Sequence, residues 1–211
     1  MPTPDLMTLT DPRSAAAEAY RTLRTNLMFS SVELPLKTLL LTAAAHEDGK
    51  STAIANLAVT FAQAGHKTIL VDSDLRQPRQ HTLWGVSAER GLTSMMLQSG
   101  ALTDLPLLAT SVDNLSLLPA GPLPPNPTDL LSSRRMEEII GLLKDRADYV
   151  LFDCAPVLQG SDAVVLGRKV DGVLLVVRAG ASRRDHTAQA REALERVHVR
   201  VLGAVLTNSR E

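Results

Sequence analysis

Four short apolar runs constrain the fold of this chain more than any other feature of its sequence. They are KTLLLTA (37–43), KTILVD (67–72), DYVLFD (148–153) and GVLLVV (172–177). Each is continuously apolar over the length of one strand, which is typical of a strand covered on both faces. Strands of this kind occur in parallel sheets that have helices packed on each side.

Helical stretches separate these runs. A helix is predicted over 14–29 with Ser14 as its N-cap, and a second one follows Gly49 and stops near Gly65. Further helices are predicted around 91–99, over 127–145 and over 182–197, and further strands near 114–120 and over 200–208. The alternation predicts an α/β fold with a doubly wound, mostly parallel sheet that binds its ligands at the carboxyl ends of the strands.

Composition and charge exclude several classes of protein. The chain has 211 residues, an apolar fraction of 45% and a net charge of −1, which describe one soluble globular domain over 1–211. Without a basic surface, nucleic acid is not an expected partner. The single cysteine, Cys154, suits a reducing cytoplasm, and no apolar run reaches the roughly 20 residues of a membrane span. We therefore expect a cytoplasmic protein.

The segment Gly49-Lys50-Ser51-Thr52 lies between a predicted buried strand and a predicted helix. This is the context in which a Gly-Lys-Ser motif forms a phosphate-binding loop. Backbone N–H groups at the helix start would face the phosphates, Lys50 would neutralise their charge, and Ser51 would hold magnesium. The alternative is a helix start that reads Gly-Lys-Ser by chance.

Three carboxylates follow the predicted strands at the same edge of the sheet. The second strand ends in LVDSDLR and supplies Asp72 and Asp74, and the strand at 148–153 ends in Asp153. Each acid alone is explained as a polar strand end. Together, after a phosphate loop, they predict a site for Mg²⁺, which takes oxygen ligands and substrate phosphates.

These motifs resemble the catalytic domain of the bacterial tyrosine kinases of capsular and exopolysaccharide synthesis, relatives of the septum-site and partition ATPases. The resemblance extends over nearly the whole chain. It is carried by EAYRTLRTNLMFS, GKST, ILVDSDLRQPRQH, GPLPPNP, YVLFDCAPVLQGSDAVVL and DGVLLVVRAGASRRD. It implies a P-loop NTPase fold of the septum-site type, ATP and Mg²⁺ as cofactors, and phosphorylation of tyrosine.

The resemblance also assigns roles to individual residues. It implies that Asp72 or Asp74 accepts the proton of the tyrosine hydroxyl, and that Asn208 contacts the adenine base. For Asn208 the alternative is a polar residue that ends a strand. The implied phosphate-binding residues are Gly49, Lys50, Ser51 and Thr52; the implied magnesium ligands are Ser51, Asp72, Asp74 and Asp153; the implied catalytic residues are Lys50, Asp72, Asp74 and Asp153.

The first predicted helix carries Glu18, Arg21 and Arg24 at intervals of three, which places them on one side. Such a face is usually solvated. The resemblance implies instead that it joins subunits into a ring, with 1–36 as the oligomerisation element and 37–211 as the nucleotide-binding core. It also implies docking on a separate transmembrane adaptor, a polysaccharide co-polymerase, at the inner face of the cell membrane.

Two departures from the family pattern affect these expectations. Glu47 and Asp48 add negative charge to the phosphate loop, which predicts weakened nucleotide binding. The sequence ends in TNSRE, where a tyrosine-rich tail is expected, and Tyr20 and Tyr149 are predicted to be structural. Either the tail was removed, or a partner carries the tyrosines, or the protein is a nucleotide-dependent switch or scaffold without kinase activity.

Overall fold

Residues 4–29, 35–45, 49–98 and 104–208 are described by a computed structural model of the chain. Strands in these ranges form one sheet. They are β1 (Thr38–Ala43), β2 (Thr68–Asp72), β3 (Leu108–Ala109), β4 (Leu115–Leu118), β5 (Tyr149–Asp153), β6 (Gly172–Arg178) and β7 (Val201–Thr207). Their order is β3-β4-β2-β5-β1-β6-β7, and all neighbours are parallel except β3 and β4, which are antiparallel.

Helices cover both faces of this sheet. They are α1 (Met7–Thr10), α2 (Ala15–Phe29), α3 (Lys50–Gln63), α4 (Gln80–Trp84), α5 (Leu92–Leu97), α6 (Pro127–Ser132), α7 (Arg134–Lys144), α8 (Asp162–Gly167) and α9 (Arg184–Glu195), with a 3₁₀ turn at Val157–Gln159. Leu40 of β1 packs in the core under α5 to α9, whereas Leu39 and Leu41 pack in the core under α2, α3 and α4. The predicted doubly wound sheet with strands buried on both faces is confirmed.

Several elements differ from the sequence-based expectation. The helix predicted over 127–145 is divided at Ser133, whose hydroxyl accepts a hydrogen bond from the Met136 N–H and caps α7. The short helices α1, α4 and α8 and the two-residue strand β3 were not predicted. All four are too short for hydrophobic periodicity to distinguish them from loops.

The strand order determines where the site lies. β5 is between β1 and β2, so the carboxyl ends of these three strands are adjacent. Asp72, at the end of β2, is directly opposite Asp153, at the end of β5. The loop that follows β1 leads into α3 at the same edge.

The amino-terminal segment packs on α3. The backbone N–H and the hydroxyl of Thr8 both donate to Asn56 Oδ1, at 3.0 and 2.9 Å. Leu27 of α2 belongs to the same apolar cluster as the buried face of α3. None of the helices in the described part of the chain is long and apolar enough to cross a membrane. The assignment of 1–36 as an oligomerisation element remains a prediction.

Candidate active site

The predicted phosphate loop ends at Gly49, directly before α3. Gly49 has a φ of +76°, in the left-handed region that glycine adopts without strain. Its carbonyl accepts the N–H of Ala53 at 2.9 Å, which starts α3 with Lys50 as the first helical residue. Glu47 and Asp48 lie outside the described residues, so the expected effect of their charges remains a prediction.

The predicted carboxylates are buried where the strands end. Asp72 and Asp153 are fully buried and Asp74 is 2% exposed. Burying charged carboxylates costs free energy unless cations or hydrogen-bond donors compensate them. The site therefore needs a positive charge among these acids, and Lys50 provides it.

Lys50 contacts two of the three carboxylates. Its Nζ lies 2.7 Å from Asp74 Oδ2 and 3.2 Å from Asp153 Oδ1, and 3.4 Å from Ser51 Oγ. Burial alone would lower the pKa of Lys50, but the charges of Asp153 and Asp74 outweigh it and raise the pKa above its usual value. The amine is therefore held in its charged form beside the phosphate loop.

Asp72 and Asp74 have different surroundings. Asp72 Oδ2 accepts the N–H groups of Arg79 and Gln80 at 3.1 and 2.9 Å, while Oδ1 is buried without a partner. Burial, followed by the charge of Asp153, raises the pKa of Asp72 well above its usual value. Asp74 Oδ1 accepts the Gln77 N–H at 2.9 Å, and Asp74 lines the adjoining pocket.

The pocket at the start of α3 has a volume of about 530 Å³. This is within the size range of small-molecule sites, roughly 300–1,000 Å³. Its lining contains the predicted residues Gly49, Lys50, Ser51, Thr52 and Asp74. It also contains Gln77, Arg79, Thr82 and Leu83, for which the sequence predicted no role. Their one signal in the sequence is their place in and just after the LRQPRQH segment.

The donor set fits Mg²⁺. No group of three or more His, Cys, Asp or Glu side chains within the described ranges could hold a metal ion by itself. Mg²⁺ does not require such a group, because it binds through one or two carboxylates together with water and substrate phosphates. The Ser51 hydroxyl and the carboxylates of Asp74 and Asp153 are oxygen donors of the required kind, and Asp72 Oδ1 is a further buried oxygen without a partner.

Arg76 connects the LRQPRQH segment to two helices. Its Nε and Nη2 donate to the two carboxylate oxygens of Asp162 at 2.6 and 3.0 Å, and Nη2 also contacts Thr128 Oγ1 at 3.2 Å. The hydrogen bond to buried Asp162 raises the pKa of Arg76. The bidentate pair fixes the loop after Asp74 against α6 and α8. Sequence reasoning could not assign Arg76 a partner, because Asp162 lies 86 residues further along the chain.

Asn208, which was predicted to contact the adenine base, does not line this pocket. Asn208 follows β7, is exposed and has a φ of +54°. Its neighbour Thr207 is close to the phosphate loop: a Cβ on Gly49 would lie 3.9 Å from Thr207 Oγ1. The role of Asn208 in binding adenine remains a prediction.

On α2, Glu18 and Arg21 form an ion pair at 2.9 Å within the helix, with 67% of the Glu18 side chain exposed. Arg24 has a different orientation, because its Nη1 donates to the Thr60 carbonyl on α3 at 2.8 Å. The three residues are therefore not a uniform exposed face. A role for them in joining subunits remains a prediction.

Bacterial tyrosine-protein kinases are similar to this chain over nearly its whole length. The tyrosine-protein kinase YwqD of Bacillus subtilis is 39% identical over 206 residues, which cover 98% of this chain and 86% of YwqD. The chain belongs to the bacterial tyrosine kinase family. The family resemblance predicted from the motifs is confirmed, and residues 47–188 also match the AAA domain family.

Other members and neighbours agree with this assignment. The tyrosine-protein kinase etk of Escherichia coli K12 is 34% identical over 93% of this chain, but the match covers only 27% of etk. The structure of the kinase domain of E. coli ETK covers 100% of this chain and 82% of that domain, with a TM-score of 0.94 and 31% identity. The septum site-determining protein MinD of Pyrococcus horikoshii, complexed with Mg-ADP, has a TM-score of 0.68 at 24% identity and covers 81% of this chain and 70% of MinD. This last likeness confirms the predicted fold of the septum-site ATPases.

Proposed function

We propose that this chain is an ATP- and Mg²⁺-dependent protein-tyrosine kinase that regulates the polymerisation and export of capsular or exopolysaccharide. The observation that carries the proposal is the position of Lys50, with Nζ 2.7 Å from Asp74 and 3.2 Å from Asp153 beside the phosphate loop. Phosphoryl transfer depends mainly on positioning and on stabilising negative charge. A buried amine, a hydroxyl and three carboxylates supply these requirements.

Each residue of the site has a role in this proposal. Residues Gly49 to Thr52 would bind the phosphates at the amino end of α3. When nucleotide binds, the ammonium group of Lys50 would turn from the carboxylates toward the phosphates. The Ser51 hydroxyl, Asp74 and Asp153 would hold Mg²⁺ directly or through its waters, and the unpartnered Asp72 Oδ1 would be a further oxygen donor. When bound, the metal neutralises charge on the transferring phosphoryl group.

Asp72 and Asp74 divide the properties that a general base requires. Asp74 lines the pocket, where a tyrosine hydroxyl would enter. Burial raises the pKa of Asp72, so it binds a proton more tightly than an ordinary aspartate, but Asp72 is fully buried. A base must be within hydrogen-bond reach of its proton and have a pKa near the working pH. Comparing the pH dependence of transfer in Asp72→Asn and Asp74→Asn assigns the role.

The acceptor tyrosine in this proposal is on another molecule or outside the described residues. The centroid of the Tyr149 ring lies 4.3 Å from the centroid of the Phe61 ring and 5.2 Å from that of the His66 ring. Tyr20 packs against the core that contains α3, and burial raises its pKa. Both tyrosines serve packing. This packing also favours a second candidate function, a nucleotide-dependent switch or scaffold of the same fold that transfers no phosphate to tyrosine.

We further propose that the chain docks on a transmembrane adaptor, a polysaccharide co-polymerase, at the inner face of the membrane, and assembles as a ring. In etk the matching region is about a quarter of a longer chain, so the same kinase unit is joined covalently to other segments there. A ring contact through α2 would engage Glu18, whose carboxylate is largely exposed, and Arg21. Arg24 would join it only by leaving the Thr60 carbonyl.

Incubation with labelled ATP, Mg²⁺ and a tyrosine-bearing peptide tests the kinase proposal against the switch. We expect phosphotyrosine with the unmodified protein and none with Lys50→Met. Lys169→Met is the matched control, because Lys169 pairs with Glu137, does not line the pocket, and its loss should leave transfer unchanged. Binding of Mg²⁺-ATP without any transfer to peptide or protein would contradict the kinase proposal and support the switch.

A further inference from the structure

Gln80, the first residue of α4, is fully buried beside the site. Neither its residue type nor its spacing in the sequence predicted a role there. Its Nε2 donates to the Ser51 carbonyl at 3.0 Å and to Asp153 Oδ2 at 2.8 Å. Its Oε1 accepts the indole N–H of Trp84 at 3.2 Å. A buried amide is costly unless its donors and acceptor are all used, and here they are.

The chemistry of the three partners allows one orientation of this amide. The indole N–H of Trp84 can only donate, and the Ser51 carbonyl and an ionised Asp153 can only accept. A flipped amide would place its oxygen against two acceptors and its NH₂ against a donor. The NH₂ group of Gln80 therefore faces Ser51 and Asp153, and these two acceptors are sufficient to set the orientation without Trp84.

The backbone of Gln80 contacts the end of β2. Its N–H donates to Asp72 Oδ2 at 2.9 Å. One residue thus contacts the start of α3 through Ser51, the end of β5 through Asp153 and the end of β2 through Asp72. The hydrogen bond to Asp153 Oδ2 leaves the other oxygen, Oδ1, at 3.2 Å from Lys50 Nζ.

We propose that Gln80 is a positioning residue for the metal and nucleotide site. By holding Asp153 Oδ2 and the Ser51 carbonyl, it fixes the direction of Asp153 Oδ1 and the place of the Ser51 hydroxyl. This inference deepens the proposed function and rests on it, since Ser51 and Asp153 are the proposed magnesium ligands. Residues that orient metal ligands typically contribute about 10- to 100-fold to metal affinity or activity.

Three substitutions test whether Gln80 positions the metal ligands or only packs in the core. Gln80→Met keeps an unbranched side chain of similar length but removes both donors to Ser51 and Asp153. Trp84→Phe is the matched control, because it removes only the indole donor and leaves both Nε2 hydrogen bonds available. Gln80→Leu is a second test of the same bonds, since it also removes both donors and adds no charge beside the proposed magnesium ligands.

The measurement is the Mg²⁺ concentration that half-saturates ADP-loaded protein, by titration calorimetry. We expect it to rise about 10- to 100-fold in both Gln80→Met and Gln80→Leu. In Trp84→Phe it should stay within about threefold of the unmodified protein. Thermal unfolding without ligand identifies any variant that fails to fold, and if Gln80→Met fails then Gln80→Leu carries the test.

Equal Mg²⁺ dependence in the unmodified protein and the folded Gln80 variants would overturn the proposal, and so would equal losses in Gln80→Met and Trp84→Phe. ADP is used so that the result does not depend on phosphate transfer. If the kinase proposal alone fails, the unmodified protein binds Mg²⁺-ADP without forming phosphotyrosine, and the effect of Gln80 on Mg²⁺ is still measured.

Discussion

Aspartates lie at both ends of the parallel sheet, but their surroundings differ. At the amino end, Asp171 Oδ2 accepts the N–H groups of Lys37 and Thr38 at 2.9 and 2.7 Å, and Asp148 Oδ2 accepts the Lys67 N–H at 2.8 Å. Burial tends to raise the pKa of Asp171, but the bonds from the Thr38 and Lys37 N–H groups outweigh it and lower the pKa. These carboxylates hold neighbouring strands together.

At the carboxyl end, three carboxylates are buried together, and the amine of Lys50 contacts only Asp74 and Asp153. Asp72 keeps a buried oxygen without a partner, and its pKa is raised by burial and by the charge of Asp153. A carboxylate therefore stabilises the fold where hydrogen-bond donors surround it, and destabilises the fold where it is buried with other carboxylates. Such unfavourable burial is a feature of functional sites, because a ligand can relieve it.

The largest expected difference between the two ends is in catalysis. We predict that Asp74→Asn lowers phosphotransfer by at least about 10²-fold, because it removes a charge that acts on the transferring group. Asp171→Asn at the amino end should leave the rate essentially unchanged. Steady-state kinetics with a tyrosine peptide measures both, and comparable losses in the two variants would break the distinction.

The next effect is on stability, and its location is reversed. Asp171→Ala should lower the free energy of unfolding by about 1–3 kcal/mol, because two backbone N–H groups at the start of β1 lose their acceptor. Urea unfolding monitored by circular dichroism measures the change. Asp171→Asn, which keeps one acceptor oxygen, is the control and should lose less. A stability unchanged by both would mean that this carboxylate does not hold the strands.

The two ends should also respond to pH with opposite signs. The pKa of Asp72 in the folded state is above its usual value of 3.8. Between these two pKa values the folded state holds a proton that the unfolded state has lost, so stability falls as pH rises from 3.8 to the folded pKa. Removing the acid by Asp72→Asn should therefore raise the melting temperature relative to the unmodified protein, and increasingly so toward neutral pH. Thermal melts of metal-free, nucleotide-free protein across this pH range measure it.

The folded pKa of Asp171 is below its usual value of 3.8, so its stabilisation is present above that value and is lost as pH falls through the folded pKa. The melting temperature of Asp171→Asn should be lower than that of the unmodified protein at neutral pH, and the gap should close in acid. Parallel pH profiles for the Asp72 and Asp171 variants would contradict the assignment of opposite roles to the two carboxylates.

The smallest expected effect concerns the exposed charges of α2, away from both ends. Glu18→Ala should change the free energy of unfolding by less than about 0.5 kcal/mol, since exposed ion pairs contribute little. It should nevertheless reduce the size of any ring that the protein forms. Light scattering across a range of concentrations checks this, with Glu192→Ala on α9 as a control. An unchanged large assembly would remove the role proposed for α2.

The sequence alone was sufficient for the parts of the molecule that depend on local pattern. Continuous apolar runs identified β1, β2, β5 and β6, because strands buried on both faces need apolar residues at every position. Once the strands were parallel, their carboxyl ends had to share one edge, so the proximity of Asp72, Asp74 and Asp153 followed.

The rest depends on contacts between distant residues. Gln80 has no motif of its own, and its role depends on Ser51, Asp153 and Trp84 meeting around it. The Arg76 pair with Asp162 joins residues 86 positions apart. The break at Ser133 replaced a single predicted helix because a local side-chain cap competes with helix continuation. A single sequence does not show which distant residues will be in contact.

Calorimetric titration of Mg²⁺-ATP most directly tests whether the carboxyl edge of the sheet is a nucleotide site. We predict that the unmodified protein and Asp171→Asn bind with similar affinity, and that Lys50→Met weakens binding by at least about tenfold, equivalent to about 1.4 kcal/mol. Absence of heat with the unmodified protein, or equal binding by the folded Lys50→Met protein, would contradict the assignment of this edge as the active site.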